Sequence, residues 1–262
     1  MNIRRILSEK KDSVNSGIVW VTLSKGLQGI LQVIVLLVLA RYISPKEFGI
    51  VSVAIVFINL VDVFSHIGVG AAIIQRKEIN ERHISTGFSS SVAFGLVLYG
   101  MMFLLSGPIS EWFEIGLLRQ VMVVLALMFP LKSLSVVSEA LIQRNLKFKN
   151  YAIINTSSYV FGSALVGLTL AVAGFGVWAL VWSELSSTLF KTVMLQLSSR
   201  HRMSLRFDWK SFKELIAFGV GFTISKLTDQ LAQQSDNFVV GKLLGAEALG
   251  FYGRPFQLVS TP

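Results

Sequence analysis

The chain has 262 residues, of which 53% are apolar and 15% charged, with a positive mean hydropathy and a formal charge of +9. No ordinary soluble domain of this size has that balance. The absence of cysteine excludes disulfides, thiolate catalysis and cysteine-based metal sites.

Charge is confined to short blocks between apolar runs of about 20 residues, the length that spans roughly 30 Å of hydrocarbon. Seven runs lie at approximately 17–40, 48–67, 86–106, 118–138, 152–173, 177–197 and 215–241, and an eighth begins near Leu249. The first run is too long for a signal-peptide core and ends in Arg41-Tyr42 without a small-residue cleavage site, so it reads as helix one. A three-residue link, Gly174-Phe175-Gly176, forces helices five and six into a tight hairpin. The expected fold is an all-α integral membrane protein. A six-helix N-terminal transmembrane bundle occupies 1–197, a cytoplasmic amphipathic linker 198–214, and the start of a second, pseudo-symmetric bundle 215–262. In the linker Trp209, Phe212 and Ile216 follow helical spacing with lysines between them, as in an interfacial helix.

The blocks 1–16, 75–84, 141–152 and 198–213 carry most of the basic residues, whereas 41–47, 107–117, 174–176 and 242–248 carry only Arg41, Lys46 and Lys242. The positive-inside rule then puts the N-terminus in the cytoplasm. Because the basic residues fall on alternate loops, they indicate topology and not nucleic-acid binding. Orientation alone accounts for them, with lipid-headgroup recognition as the other reading.

Thr22-Leu23-Ser24-Lys25 returns as Thr223-Ile224-Ser225-Lys226, and the ungapped register continues. Gln28 and Gln32 fall on Asp229 and Gln233, Arg41 on Lys242, and Gly49 on Gly250. Lys25, Gln28 and Gln32 share one helix face, as do Lys226, Asp229 and Gln233, with Gln230, Asp236 and Asn237 widening the second stripe. A charge inside a membrane span is costly, so two in register point to a duplicated bundle with a cation-lined polar path. The alternative is a snorkelling lysine, with amides that merely hold helices together. Glu184 is the deepest carboxylate of the first bundle and the candidate for proton or cation coupling with Lys191, seven residues on. An ion pair between those two, or between helices, is the structural alternative. Asp62, His66 and Glu139 read as interfacial residues. Ala72-Ile73-Ile74-Gln75-Arg76 and Ala140-Leu141-Ile142-Gln143-Arg144 read as helix ends with a snorkelling arginine. No phosphate-binding glycine-lysine loop, zinc-binding H-E-x-x-H or nucleophile elbow occurs, and His66, His83 and His201 are isolated. No enzyme activity, metal or cofactor is expected.

Several stretches resemble Wzx-type polysaccharide flippases of the multidrug/oligosaccharidyl-lipid/polysaccharide exporter superfamily. They are Leu39-Ala40-Arg41-Tyr42-Ile43-Ser44-Pro45-Lys46-Glu47-Phe48-Gly49, the segments 68–76, 139–149 and 174–181, and Asp236-Asn237-Phe238-Val239-Val240-Gly241-Lys242-Leu243-Leu244-Gly245, followed by Leu249-Gly250-Phe251-Tyr252. The branch with colanic-acid and teichuronic-acid exporters is the most similar. The resemblance implies two bundles about a pseudo-twofold axis, a bacterial inner-membrane location, and export of undecaprenyl-pyrophosphate-linked oligosaccharides alongside a polymerase and glycosyltransferases. Lys25 and Lys226 would then suit a pyrophosphate. Members usually have 12 to 14 helices, so a chain stopping within the eighth reads as truncated. Three alternatives stay open: a cation-coupled drug antiporter, a glycan polymerase or ligase, and a non-transporting assembly subunit.

Overall fold

The computed structural model describes residues 3–65, 68–199, 204–245 and 247–250, and the side chains of 3–16, 18, 218–220, 222 and 226 are not described. Among the described residues every regular element is a helix. The elements are α1 (Ile3–Tyr42), α2 (Pro45–Ser65), α3 (Val69–Gln75), α4 (Glu81–Phe113), α5 (Gly116–Leu125), α6 (Met128–Arg144), α7 (Phe148–Ser157), a π-helical turn (Ser158–Ala164), α8 (Leu165–Val172), α9 (Val177–Ser198) and α10 (Trp209–Leu243). Among the described residues, five stretches are long and apolar enough to cross a membrane: Val19–Tyr42, Pro45–Ser65, Glu81–Phe113, Gly116–Arg144 and Phe148–Val172. The expected sixth and seventh runs are the helices α9 and α10, with 22 and 35 residues. They have the length of a span but carry more polar residues.

Local chemistry explains most boundaries. Ser44 and Glu47 form a reciprocal cap at the start of α2, with the Ser44 hydroxyl donating to Glu47 Oε2 at 2.7 Å and Pro45 in the first helical position. At α4, Asn80 Oδ1 accepts from the backbone N–H of His83, while His83 Nδ1 accepts from Asn80 N–H. The span 118–138 is broken at Ala126–Leu127 because Pro130 offers no N–H and its ring crowds the carbonyl four residues back. Asp208 caps α10, accepting from Ser211 N–H at 2.9 Å, so this helix begins at Trp209, ahead of the apolar run at 215.

Four apolar clusters hold the helices together, the smallest of them around Ile142, Ile154 and Leu195. At the hairpin end, α2, α4, α5, α6 and α9 bury Val53, Ile58, Met102, Leu118, Met122, Leu125, Phe129 and Val181 together with Leu249. At the basic-loop end, α3, α4 and α6 enclose Leu215 of α10 among Val69, Ile73, Phe88 and Val137. Val35 and Leu39 of α1, with Ile43 just after it, pack with Phe48, Ala171 and Ala179. α9 lies tightly on the π-helical turn, where Gly162 meets the backbone of Ser187 and the hydroxyls of Ser163 and Ser183 are 2.8 Å apart.

α3 was not foreseen. It is short, follows Gly68 at φ 67°, and packs on α6 and α10. Arg144 holds its C-terminal end, donating to the carbonyls of Ile73, Ile74, Arg76 and Lys77 at 2.6, 3.3, 2.6 and 3.0 Å. The reading of Arg144 as a snorkelling residue is therefore corrected: its guanidinium caps another helix. Arg76 is likewise corrected, since it pairs with Glu214 of α10.

Candidate functional site

The two polar stripes lie on helices with different neighbours. α1 packs on α7, the π-helical turn and α8, whereas α10 packs on α2, α3 and α4. Lys25 and Gln32 are exposed on α1, with Gln28 half-buried between them. No hydrogen bond or ion pair to Lys25 occurs among the described residues. On α10, Asp229 and Gln233 are exposed, while the Lys226 side chain falls outside the described residues. Asp236 and Asn237 are half-buried; Asn237 N–H donates to Asp236 Oδ1 at 2.9 Å and its side-chain amide to Gln234 Oε1 at 3.3 Å. α1 and α10 do not pack extensively on each other.

Inside the first bundle the charges are arranged differently from the reading of their spacing. Lys191 of α9 pairs with Glu139 of α6 at 3.2 Å and not with Glu184, and Tyr151 of α7 donates to the same Glu139 oxygen at 2.7 Å. Lys132 of α6 pairs with Asp62 of α2 at 3.0 Å. Glu184 on α9 is half-buried, and Lys132 and Tyr159 are the polar groups that interact with it electrostatically. Asp62 and Glu139, read from the sequence as interfacial residues, are thus the acid partners of two lysines within the bundle. Their separation from those lysines in the chain hid the pairing. His66 and His201 lie outside the described residues, and no group of three metal-ligating side chains occurs among the described ones.

At the hairpin end Glu47 does double duty. Besides its cap on Ser44, its Oε1 accepts from the backbone N–H of Val177 at 3.1 Å, tying the start of α9 to the start of α2. Gly176, at φ 53°, leaves no room for a Cβ beside that carboxylate. Two of the stretches that carry the family resemblance are therefore in contact. Lys242 seals α10 to the same end, donating to the Trp112 carbonyl at 2.5 Å and lying 4.9 Å from the Trp112 ring centroid. Phe238 joins Phe57, Trp112 and Phe113 in an aromatic cluster with centroid distances of 5.2 to 6.2 Å. The repeat-related glycines also meet: a Cβ on Gly250 would lie 3.2 Å from the Gly49 nitrogen and would collide with the Pro45 carbonyl.

Residues 38–262 match the family described as polysaccharide biosynthesis protein. The chain belongs to that family. It is 27% identical over 258 residues to the lipopolysaccharide biosynthesis protein WzxC of Escherichia coli K12, covering 96% of this chain and 51% of the relative. It is 24% identical over 250 residues to the succinoglycan biosynthesis transport protein ExoT of Rhizobium meliloti, covering 95% and 50%. The teichuronic acid biosynthesis protein TuaB of Bacillus subtilis is 26% identical over 254 residues, with 95% and 52% covered. The chain thus spans about half the length of the curated relatives it matches. No solved structure matches it.

Proposed function

We propose that this polysaccharide-family chain forms one lobe, and the start of a second, of a transporter that moves undecaprenyl-pyrophosphate-linked oligosaccharides across the bacterial inner membrane. The observation that carries this reading is the match over nearly the whole chain to proteins named for surface-polysaccharide biosynthesis and transport. The polar stripe supports it. Lys25 stands exposed on α1 with no partner among the described residues, and an ammonium so placed suits a diphosphate. Gln28 and Gln32 supply hydrogen bonds for sugar hydroxyls, and Lys226, Asp229, Gln233, Asp236 and Asn237 are the corresponding set in the second lobe. With the N-terminus cytoplasmic, the basic-loop end faces the enzymes that assemble the lipid-linked unit. The packed hairpin end faces outward, toward the polymerase. Transport proceeds by alternating exposure of the stripes, without covalent chemistry.

The test is transport of labelled undecaprenyl-pyrophosphate oligosaccharide in proteoliposomes, using this chain and a version extended to the length of its relatives. Transport by the extended form, lost in a folded Lys25→Ala/Lys226→Ala variant, supports the reading; a folded extended form that moves no substrate overturns it. A second reading, a cation-coupled antiporter, is favoured by the carboxylates Asp62, Glu139 and Glu184 within the first bundle. It predicts substrate efflux driven by an imposed pH or sodium gradient and lost in Glu184→Gln.

A further inference from the structure

α1 and α7 touch closely at one end and then diverge. A Cβ on Gly17 would come within 2.8 Å of the Phe148 ring, so the absence of a side chain sets the close crossing there. Further along, α1 returns to the bundle where Val35 and Leu39 pack with Leu168 and Ala171, and Tyr159 of the π-helical turn fills against them. Between these two contacts lies a cavity of about 320 Å³ walled by Trp20, Leu23 and Leu27 of α1 and by Ile153, Val160 and Phe161 opposite. Its wall hydroxyls are turned inward: Ser24 donates to the Val21 carbonyl and Ser157 to the Ile154 carbonyl. The Thr156 hydroxyl is buried with no partner among the described residues. Leu23, Leu27, Ile153 and Phe161 are all exposed, so the cavity is an open slot along the side of the bundle. One end of the slot is different. There Lys149 lies 4.7 Å over the Trp20 ring, on the same helix face as Ile153, Thr156 and Val160. An apolar slot within a membrane span, with a lysine and a tryptophan at its interfacial end, has the polarity of an anionic lipid.

We propose that this slot is a binding site for the chain of a polyprenyl phosphate, with the phosphate at Lys149 and the isoprenoid against Trp20, Leu23, Leu27 and Phe161. This deepens the proposed function and rests on it for the choice of lipid. The lysine and tryptophan at one end suit a phosphate with an apolar chain beneath it, and the proposed function makes that chain a polyprenyl carrier. Lys25 projects from the other side of α1, about 100° from Ser24 and 200° from Leu23 at 3.6 residues per turn. Lys149 and Lys25 therefore do not serve one phosphate in one position. The slot holds the carrier in the leaflet at the basic-loop end before its head group passes round α1 to the polar stripe.

The experiment is photolabelling of the purified chain in nanodiscs with a diazirine-bearing polyprenyl monophosphate, followed by peptide mapping. The expected result is label within 20–27 and 153–161, displaced by excess unlabelled polyprenyl monophosphate but not by equal phosphatidylglycerol. Lys149→Ala should reduce labelling about fivefold, the worth of one lysine at a charged lipid surface. Ser24→Phe, which fills the slot, should abolish it without changing the thermal melt. Label elsewhere, equal displacement by phosphatidylglycerol, or full labelling of Ser24→Phe overturns the proposal. Slot labelling in a protein whose extended form transports nothing would leave this site standing and remove the proposed function. Transport without slot labelling would do the reverse.

Discussion

At the scale of single residues, the firmest constraints sit where one side chain serves two helices. Glu47 caps α2 and binds the first N–H of α9, and Gly176 makes room for it. Gly176→Ala should cost about 1–3 kcal/mol, since it adds backbone strain at positive φ and displaces the carboxylate; thermal unfolding in detergent would measure this. Arg144 gathers the carbonyls at the end of α3. Arg144→Ala should destabilise by about 1.5–3 kcal/mol, the range for hydrogen bonds to a charged group, and Arg144→Lys should recover only part of it. Proteolysis across 69–77 is the readout, with faster cleavage expected in the alanine variant. In neither case does sequence spacing name the partner, because Glu47 and Val177 are 130 residues apart.

At the scale of elements, the start of α10 is held down on α3 and α4. Leu215 is fully buried, Phe212 stacks on Phe94 with 6.4 Å between centroids, and Asp208 N–H donates to the Thr86 hydroxyl at 3.1 Å. Glu214 closes the contact by pairing with Arg76 and, at 3.1 Å, with His83 Nε2. Since His83 Nδ1 already accepts from the backbone, its other nitrogen carries the hydrogen that Glu214 accepts. That hydrogen bond, with the one from Arg76, holds the Glu214 carboxyl below the usual carboxylate range. A depressed acid contributes stability above its unfolded pKa of about 4.3 and loses it as pH falls through the lower folded value. The share of α10 docking that Glu214 supplies should therefore be lost only in acid below the usual carboxylate range. Glu214→Gln should show the loosened state already at pH 7. Hydrogen exchange of 209–215 measures both.

The same elements show what the sequence could and could not reveal. Apolar runs located every long helix, because burial in hydrocarbon acts on composition over some twenty residues. The cap at Ser44–Glu47 and the break before Pro130 are also written locally. α3 escaped because seven residues are too few for a periodic signal, and its stability comes from Arg144 and from packing on α6. The charged pairs escaped because Lys191 and Glu139, or Lys132 and Asp62, meet only once helices are assembled. Whether the stripes of α1 and α10 bind substrate was legible only as a repeated pattern, since spacing fixes a face and not what lies opposite it.

At the scale of the whole molecule, the hairpin end is closed by contacts between the first bundle and the segments that follow it. Lys242, Phe238 and Gly250 all bear on α2 and the end of α4. Gly250→Val should force this seam apart. The expected outcome is a lower melting temperature with faster hydrogen exchange at 45–50, while exchange at 209–215 stays as it is. The bare position at Gly250 has a further consequence for how this seam can change. What a side chain there would meet is the carbonyl of Pro45, a main-chain group that every residue carries. No substitution at position 45 can make room for it, so while the start of α2 lies against this point, position 250 stays glycine.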